Sequence, residues 1–286
     1  MQLFPTAAIT DEFSTDDLET ALAAMRETGM SGAELRLVGG RNVVELSDRE
    51  LAGVRAAVER QGLYVLSIAS PVLKCVLPDG PEIDARFQQD VFGSSYGFDD
   101  QERLTGRAFD AAEKTGARII RVFSFWRTVE PSGVFDRVAA ALRALADQAA
   151  ARGLTIGLEN EHACNVGTGA EAARMLAAVD HPALGLIWDP ANASILGERP
   201  FPDGYELLPK NRIIHIHAKD CVVAGHTPTW GPLGEMSVDW TGQVAALVRD
   251  GYRGAISLET HWRGPDGNRL EASRVCGHKL RALVAT

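Results

Sequence analysis

Apolar positions in this chain gather into short β-branched or aliphatic runs, at PTAAI, AELRLV, YVLSIAS, RIIRVFSF, TIGLEN, LGLIWDP, IIHIHAKD and AISLE. Each run has the length and composition of a strand buried on both faces. Between them the spacing changes to that of amphipathic helices, as in TDDLETALAAMRETG, SDRELAGVRAAVERQG, DQERLTGRAFDAAEKTG and FDRVAAALRALADQAAARG. Ser47 with Glu50 forms a capping-box pattern, and Thr168 opens the run GAEAARML. Gly29, Gly62, Gly116, Gly153 and Gly251 stand where helices are expected to end in a left-handed residue.

Strands that alternate with helices pair in parallel, because parallel neighbours need a crossover between them. An open doubly wound sheet carries a glycine-rich turn after its first strand, and here Ile9 is followed by TDEFSTDD. A closed barrel fits better. The 286 residues suit a (β/α)8 arrangement, which needs about 250. The expectation is an α/β chain forming one (β/α)8 TIM-barrel domain over residues 1–286. Two long loops, Pro71 to Asp100 and Cys221 to Asp239, leave the C-terminal ends of the third and seventh strands. Barrel enzymes keep their active sites on that face.

Glu159, Asp189, His217 and Glu259 end four consecutive predicted strands, on the same face as the loops. Singly, each has an ordinary explanation as a helix cap, a surface ion pair or a core histidine. Together, three buried carboxylates converging on one barrel mouth would repel one another unless a cation joined them. A divalent ion is therefore expected there. Three oxygens and one nitrogen suit Mn²⁺, Mg²⁺ or Co²⁺, with Zn²⁺ also compatible. Such an ion polarises a carbonyl, and Glu159 and Glu259 become the acid/base pair that moves the neighbouring proton. Asn192, His162, Lys219, Trp126 and Arg263 are the candidate substrate-binding residues around this centre, joined by Arg127 and His261. His215 shares the inward face of its strand with His217, one layer deeper, and is read as supporting the centre from below.

Charge and cysteine usage narrow the partners. A net charge of -9 without a basic cluster excludes nucleic acid and anionic membranes as expected partners. The four cysteines show no metal-binding spacing, so free thiols are expected. The sequence shows no signal-peptide pattern and no long apolar run, and a cytoplasmic location is expected.

The motifs around the quartet resemble those of the sugar phosphate isomerase/epimerase superfamily, the xylose-isomerase-like TIM barrels. These include ketose 3-epimerases, inosose dehydratases and isomerases, and hydroxypyruvate isomerases. The resemblance is carried by LEN ending at Asn160, WDPAN at Trp188 to Asn192 and HIHAKD at His215 to Asp220. WGPLGEMSVDW at Trp230 to Trp240 and YRGAISLETHW at Tyr252 to Trp262 extend it. It implies a metal held by Glu159, Asp189, His217 and Glu259, with the two glutamates as acid/base groups. The implied substrate is a small sugar or cyclitol, and homo-oligomers are common among such barrels. Asn192 and Val223 stand where ketose 3-epimerases place a substrate-touching His and Arg, which sets this chain apart from that subgroup. The expected activity is isomerisation or epimerisation through an enediolate. The alternative is a dehydratase of the inosose or 3-dehydroshikimate type. Further from expectation stand an endonuclease IV-like DNA repair enzyme and a non-catalytic sugar-binding barrel.

Overall fold

All eight apolar runs form strands in the computed structural model, which describes residues 2–88 and 95–285. They are β1 Thr6–Ile9, β2 Gly32–Leu35, β3 Tyr64–Ile68, β4 Ile119–Val122, β5 Thr155–Glu159, β6 Leu184–Trp188, β7 Ile213–Ala218 and β8 Ile256–Leu258. Each pairs in parallel with its chain neighbours, and β1 pairs with β8, so the sheet closes. The structure is the expected α/β TIM barrel.

The surrounding helices are α1 Leu18–Glu27, α2 Asp48–Arg60, α3 Gln101–Thr115, α4 Phe135–Ala151, α5 Gly169–Val179, α6 Pro190–Ile195, α7 Trp240–Arg249 and α8 Arg269–Leu283. Their starts follow local chemistry. In α2, Glu50 accepts from the Ser47 backbone N–H at 2.7 Å while Ser47 Oγ accepts from the Glu50 N–H at 3.3 Å. Thr168 and Glu171 make the same reciprocal pair at the start of α5. The face of α2 carrying Leu51, Val54, Ala57 and Val58 is buried, as its spacing requires. The five predicted terminal glycines all adopt positive φ, from 67° at Gly153 to 84° at Gly116.

Several strands end earlier than their apolar runs. RIIRVFSF leaves the barrel after Val122 and pairs instead with the loop beyond β3, Phe123 donating to the Val72 carbonyl and Phe125 to that of Leu73. The long loop after β7 opens as a hairpin, Cys221–Ala224 against Thr227–Trp230. Asp220 fixes its return by accepting from the backbone N–H groups of Cys221, Gly234, Met236 and Val238. Within the loop after β3, residues 89–94 lie outside the described set. The four cysteines are buried thiols outside any disulfide. Among the described residues no helix is long and apolar enough to cross a membrane.

Two glycines make room for isoleucines inside the barrel. A Cβ on Gly157, which shares the inward face of β5 with Glu159, would meet Ile187 Cγ1 at 2.7 Å. One on Gly185 would meet Ile214 Cγ2 at 2.5 Å. Gly157→Ala is therefore expected to cost about 1–3 kcal/mol by overpacking, measured as a lowered urea midpoint. An unchanged midpoint would show that the barrel floor has slack.

Candidate metal centre and active site

Glu159 is the last residue of β5, Asp189 follows β6, His217 lies at the end of β7 and Glu259 follows β8. Pairing of Ser257 with His217 brings the β7 and β8 ends to one level. One ligand atom from each of the four lies within 4.8 Å of those of the others, and all four side chains are buried. Ligands about 2.1 Å from one ion stand at most about 4.2 Å apart, so slight contraction completes the cage. Its donors fit a cation. Glu159 Oε2 and Asp189 Oδ2 are buried and accept no hydrogen bond of good geometry, although Arg121 Nη1 lies 3.2 Å and Lys219 Nζ 2.8 Å away. Asp189 divides its work: Oδ1 accepts from the Asn192 N–H at 3.0 Å and caps α6, leaving Oδ2 for the cage.

A ring of charge surrounds the quartet. Lys219 reaches Asp189 and also Glu259 Oε2 at 2.9 Å. Arg36 joins Glu259 to Asp11 and Glu12, and Lys74 lies 3.8 Å from Glu161. Below the cage, Glu34 contacts His215 Nε2 at 2.6 Å and His217 Nε2 at 3.4 Å, while Ser67 donates to it at 2.5 Å. His217 Nδ1 faces the other way, 3.0 Å from Glu159 and 3.4 Å from Glu259. Seven carboxylates in all, including Glu161, stand buried here against four Lys and Arg side chains. An Nε2–H directed at Glu34 leaves the Nδ1 lone pair turned to the cage.

The other sequence-predicted residues divide. Asn192 is buried, its Nδ2 3.5 Å from Glu159 Oε1, and its Oδ1 lies 3.0 Å from His162 Nδ1. His162 also contacts Glu161 at 2.7 Å. Lys219 lies within the quartet itself. Trp126 sits half-buried beside Lys74, whose Nζ is 5.6 Å from its ring centre. Arg263 is exposed on the loop after β8. Arg127 bonds Glu171 at the start of α5 and so braces the scaffold. His215 supports His217 from below through Glu34, as its strand parity implied.

Of the ring, Asp11, Glu12, Lys74 and Glu161 escaped the sequence reading, and so did three charges inside the strand runs: Glu34, Arg36 and Arg121. A signal existed for these three, since each is a charge inside an otherwise apolar strand run, where an unpaired ion is costly. Arg36 also lies past the true end of β2, which the run AELRLV concealed. A further feature was invisible to periodicity: Trp230 of the hairpin stacks on His261, ring centres 4.8 Å apart.

Burial shapes the titration of the cage. It pushes the Asp189 carboxyl up to about 6, Lys219 opposing and Glu159 adding to the rise. Burial also opposes the His217 imidazolium, but Glu159 and Glu34 prevail and hold its pKa well above the ordinary value. Both groups must release protons to bind a metal, so protons compete as the pH falls. Mn²⁺ affinity, measured calorimetrically, is expected to fall at least about tenfold per pH unit below 6. Affinity unchanged between pH 7 and 5 would contradict this. Glu34→Gln is expected to weaken metal binding by about 10–100-fold through loss of the His217 orientation, and wild-type affinity in that variant would remove Glu34 from the account.

Comparison with known proteins agrees with this architecture. A 3-dehydroshikimate dehydratase from Pseudomonas putida is 29% identical over 189 residues, 62% of this chain and 28% of that protein. The chain thus spans little more than a quarter of the curated relative it matches. Among solved structures, the probable 3-DHS dehydratase AsbF from Bacillus anthracis superposes with a TM-score of 0.68 at 19% identity, covering 98% of both chains. D-psicose 3-epimerase from Clostridium cellulolyticum H10, solved with D-tagatose, gives 0.68 at 14% identity over 99% of this chain and 96% of that one. Residues 22–276 match the profile of one family along nearly the whole barrel, and the chain belongs to that family, the xylose isomerase-like TIM barrels.

Proposed function

We propose that this protein is a divalent-metal-dependent enzyme that moves the proton next to the carbonyl of a small polyhydroxy substrate. The observation that carries this reading is the convergence of Glu159, Asp189, His217 and Glu259, with two carboxylate oxygens buried and lacking a hydrogen bond. Mn²⁺, Mg²⁺ or Co²⁺, or Zn²⁺, would be held by these four and would polarise the substrate carbonyl, favouring loss of the adjacent proton.

Asp189 and His217 hold position: one is tied to the start of α6, the other braced by Glu34. Glu159 and Glu259 come from β5 and β8, on different sides of the mouth. One removes the proton and the other returns it, giving an epimer or isomer through an enediolate; a single glutamate serves both steps if the proton is shuttled. Glu159 Oε2 is the oxygen less engaged by donors. Arg36 and Lys219 hold Glu259, and although burial opposes it, Lys219 and His217 keep that carboxyl well below the usual range. Glu159, which is not clamped between two cations in this way, is assigned as the base. Asn192 and His162, linked through Asn192 Oδ1, offer polar contacts to substrate hydroxyls beside it.

A second reading is elimination. Loss of a β-hydroxyl after the same proton abstraction gives a dehydratase, and the 29% identity to 3-dehydroshikimate dehydratase favours it. The acidic chain argues against a grip on DNA, and a cage with both glutamates in place argues against a non-catalytic binder.

Glu159→Gln, assayed with Mn²⁺ raised until its weakened site is saturated, is expected to lose about 10²–10⁴-fold in kcat, while a fully active variant would remove Glu159 as the base. Proton NMR of turnover in deuterated water separates the outcomes: deuterium gain at unchanged composition marks an isomerase or epimerase, and loss of water marks a lyase.

A further inference from the structure

We infer that the hairpin after β7 is a gate over the metal cage, latched where His226 at its tip meets Phe87 of the loop after β3. The inference goes beyond the proposed reaction: it concerns access to the cage and rests on that reading only in requiring that the cage bind an ion.

Burial creates the need for a gate. Glu159, Asp189 and His217 are 0% exposed and Glu259 is 4% exposed, so an ion or substrate arriving from solvent must displace part of the roof. That roof is an arc of loops. β3 and β7 stand four places apart in the ring of eight strands, on opposite walls, yet their loops touch. The β3 loop crosses the ends of β4 and β5, with the Asp84 N–H donating to the Arg127 carbonyl at 2.8 Å and Gln88 Nε2 to that of Ala163 at 3.3 Å. It ends against the hairpin: the Phe87 and His226 rings meet edge to face, centres 4.8 Å apart at 65°. The base of the hairpin continues the arc through the Trp230–His261 stack to the β8 loop, where the His261 N–H donates to Glu12 Oε2 at 3.2 Å.

The hairpin is the part of this arc built to move. Its base is fixed, since the Asp220 carboxylate accepts four backbone N–H groups and its carbonyl accepts from Gly231 at 3.1 Å. Beyond the base the hold is slight. Of the paired residues only Cys221 is fully buried, and Val222, Ala224, Thr227 and Thr229 are exposed. Segments with few buried contacts open at low cost and supply the lids of active sites. At the tip, beside Gly225 with φ 64°, His226 Nδ1 lies 3.4 Å from the Ile195 carbonyl, and the other printed contact is Phe87. Phe87 is 4% exposed although, among the described residues, it lies outside the apolar cluster that joins the barrel to its helices. Its burial therefore depends on loops, His226 among them, and covering it favours the closed arrangement.

The test follows Mn²⁺ uptake and its EDTA-driven release by stopped flow in the wild type, Phe87→Ala, His226→Ala and His226→Phe. A gate scales entry and exit alike. Both rates are expected to rise together by about three- to tenfold in the two alanine variants, the worth of one aromatic pair, with Kd unchanged. His226→Phe keeps a ring at the contact and is expected to restore the wild-type rates. Phe87→Cys combined with His226→Cys, joined by a short bis-methanethiosulfonate linker, is expected to slow both rates at least about tenfold, and reductant to release them. The native cysteines are buried, which directs the linker to the new pair. Should an alanine variant lose its fold, the linked pair decides alone, because it holds the closed arrangement. Unchanged rates in the alanine variants or in the linked pair overturn the gate. Faster release alone, with a weakened Kd, also overturns it and makes the contact a support of the cage. Absence of Mn²⁺ uptake by the wild type overturns the gate and the metal-dependent reading together, whereas failure of the rate changes with uptake intact leaves that reading standing.

Discussion

Carboxylates crowded into one buried mouth need counter-charge, and the rest of this molecule is arranged around that need. Burying even one ionised carboxylate without a partner costs several kcal/mol, and here seven share a single space. Arg36, Arg121 and Lys219 supply part of the compensation from the strand ends themselves. They leave the two cage oxygens, on Glu159 and Asp189, without a directional hydrogen bond. A divalent cation answers both deficits at once, by charge and by coordination.

The barrel makes this crowding possible. Parallel strands all deliver their C-terminal ends to one face, so residues 100 positions apart, Glu159 and Glu259, meet without a dedicated binding loop. Rigidity comes from below: Gly157 and Gly185 admit the isoleucines that fill the barrel floor, and the Ser67–Glu34–His217 chain fixes the imidazole. The long loops supply the variable part. Asp220 gathers four backbone N–H groups to set the returning arm of the β7 loop, which positions Trp230 at the rim.

The fold was legible because its signals are local. Strand runs, helical spacing, the Ser47–Glu50 cap and the terminal glycines each report one element through its own residues. The quartet was legible because each member closes a run, and a charge at the end of an apolar strand is conspicuous. Glu34, Arg36 and Arg121 were not, because pairing across the barrel depends on which strand faces which, and a linear pattern does not carry that. Asp189 shows why the single-residue explanation was also right: one oxygen caps α6 as an ordinary helix cap does, and the other remains for the cage. The stacking of Trp230 on His261 joins two loops of irregular backbone, where periodicity has nothing to report.

The claim that this charge balance is completed by one ion is tested most directly by metal stoichiometry. Protein stripped with chelator and titrated with Mn²⁺ at pH 7.5 is expected to take up one equivalent per chain. At about 100 times Kd, binding should add about 2.7 kcal/mol to stability, raising Tm by about 4–5 °C. No uptake, or several tight equivalents as in a multinuclear nuclease, would contradict the account.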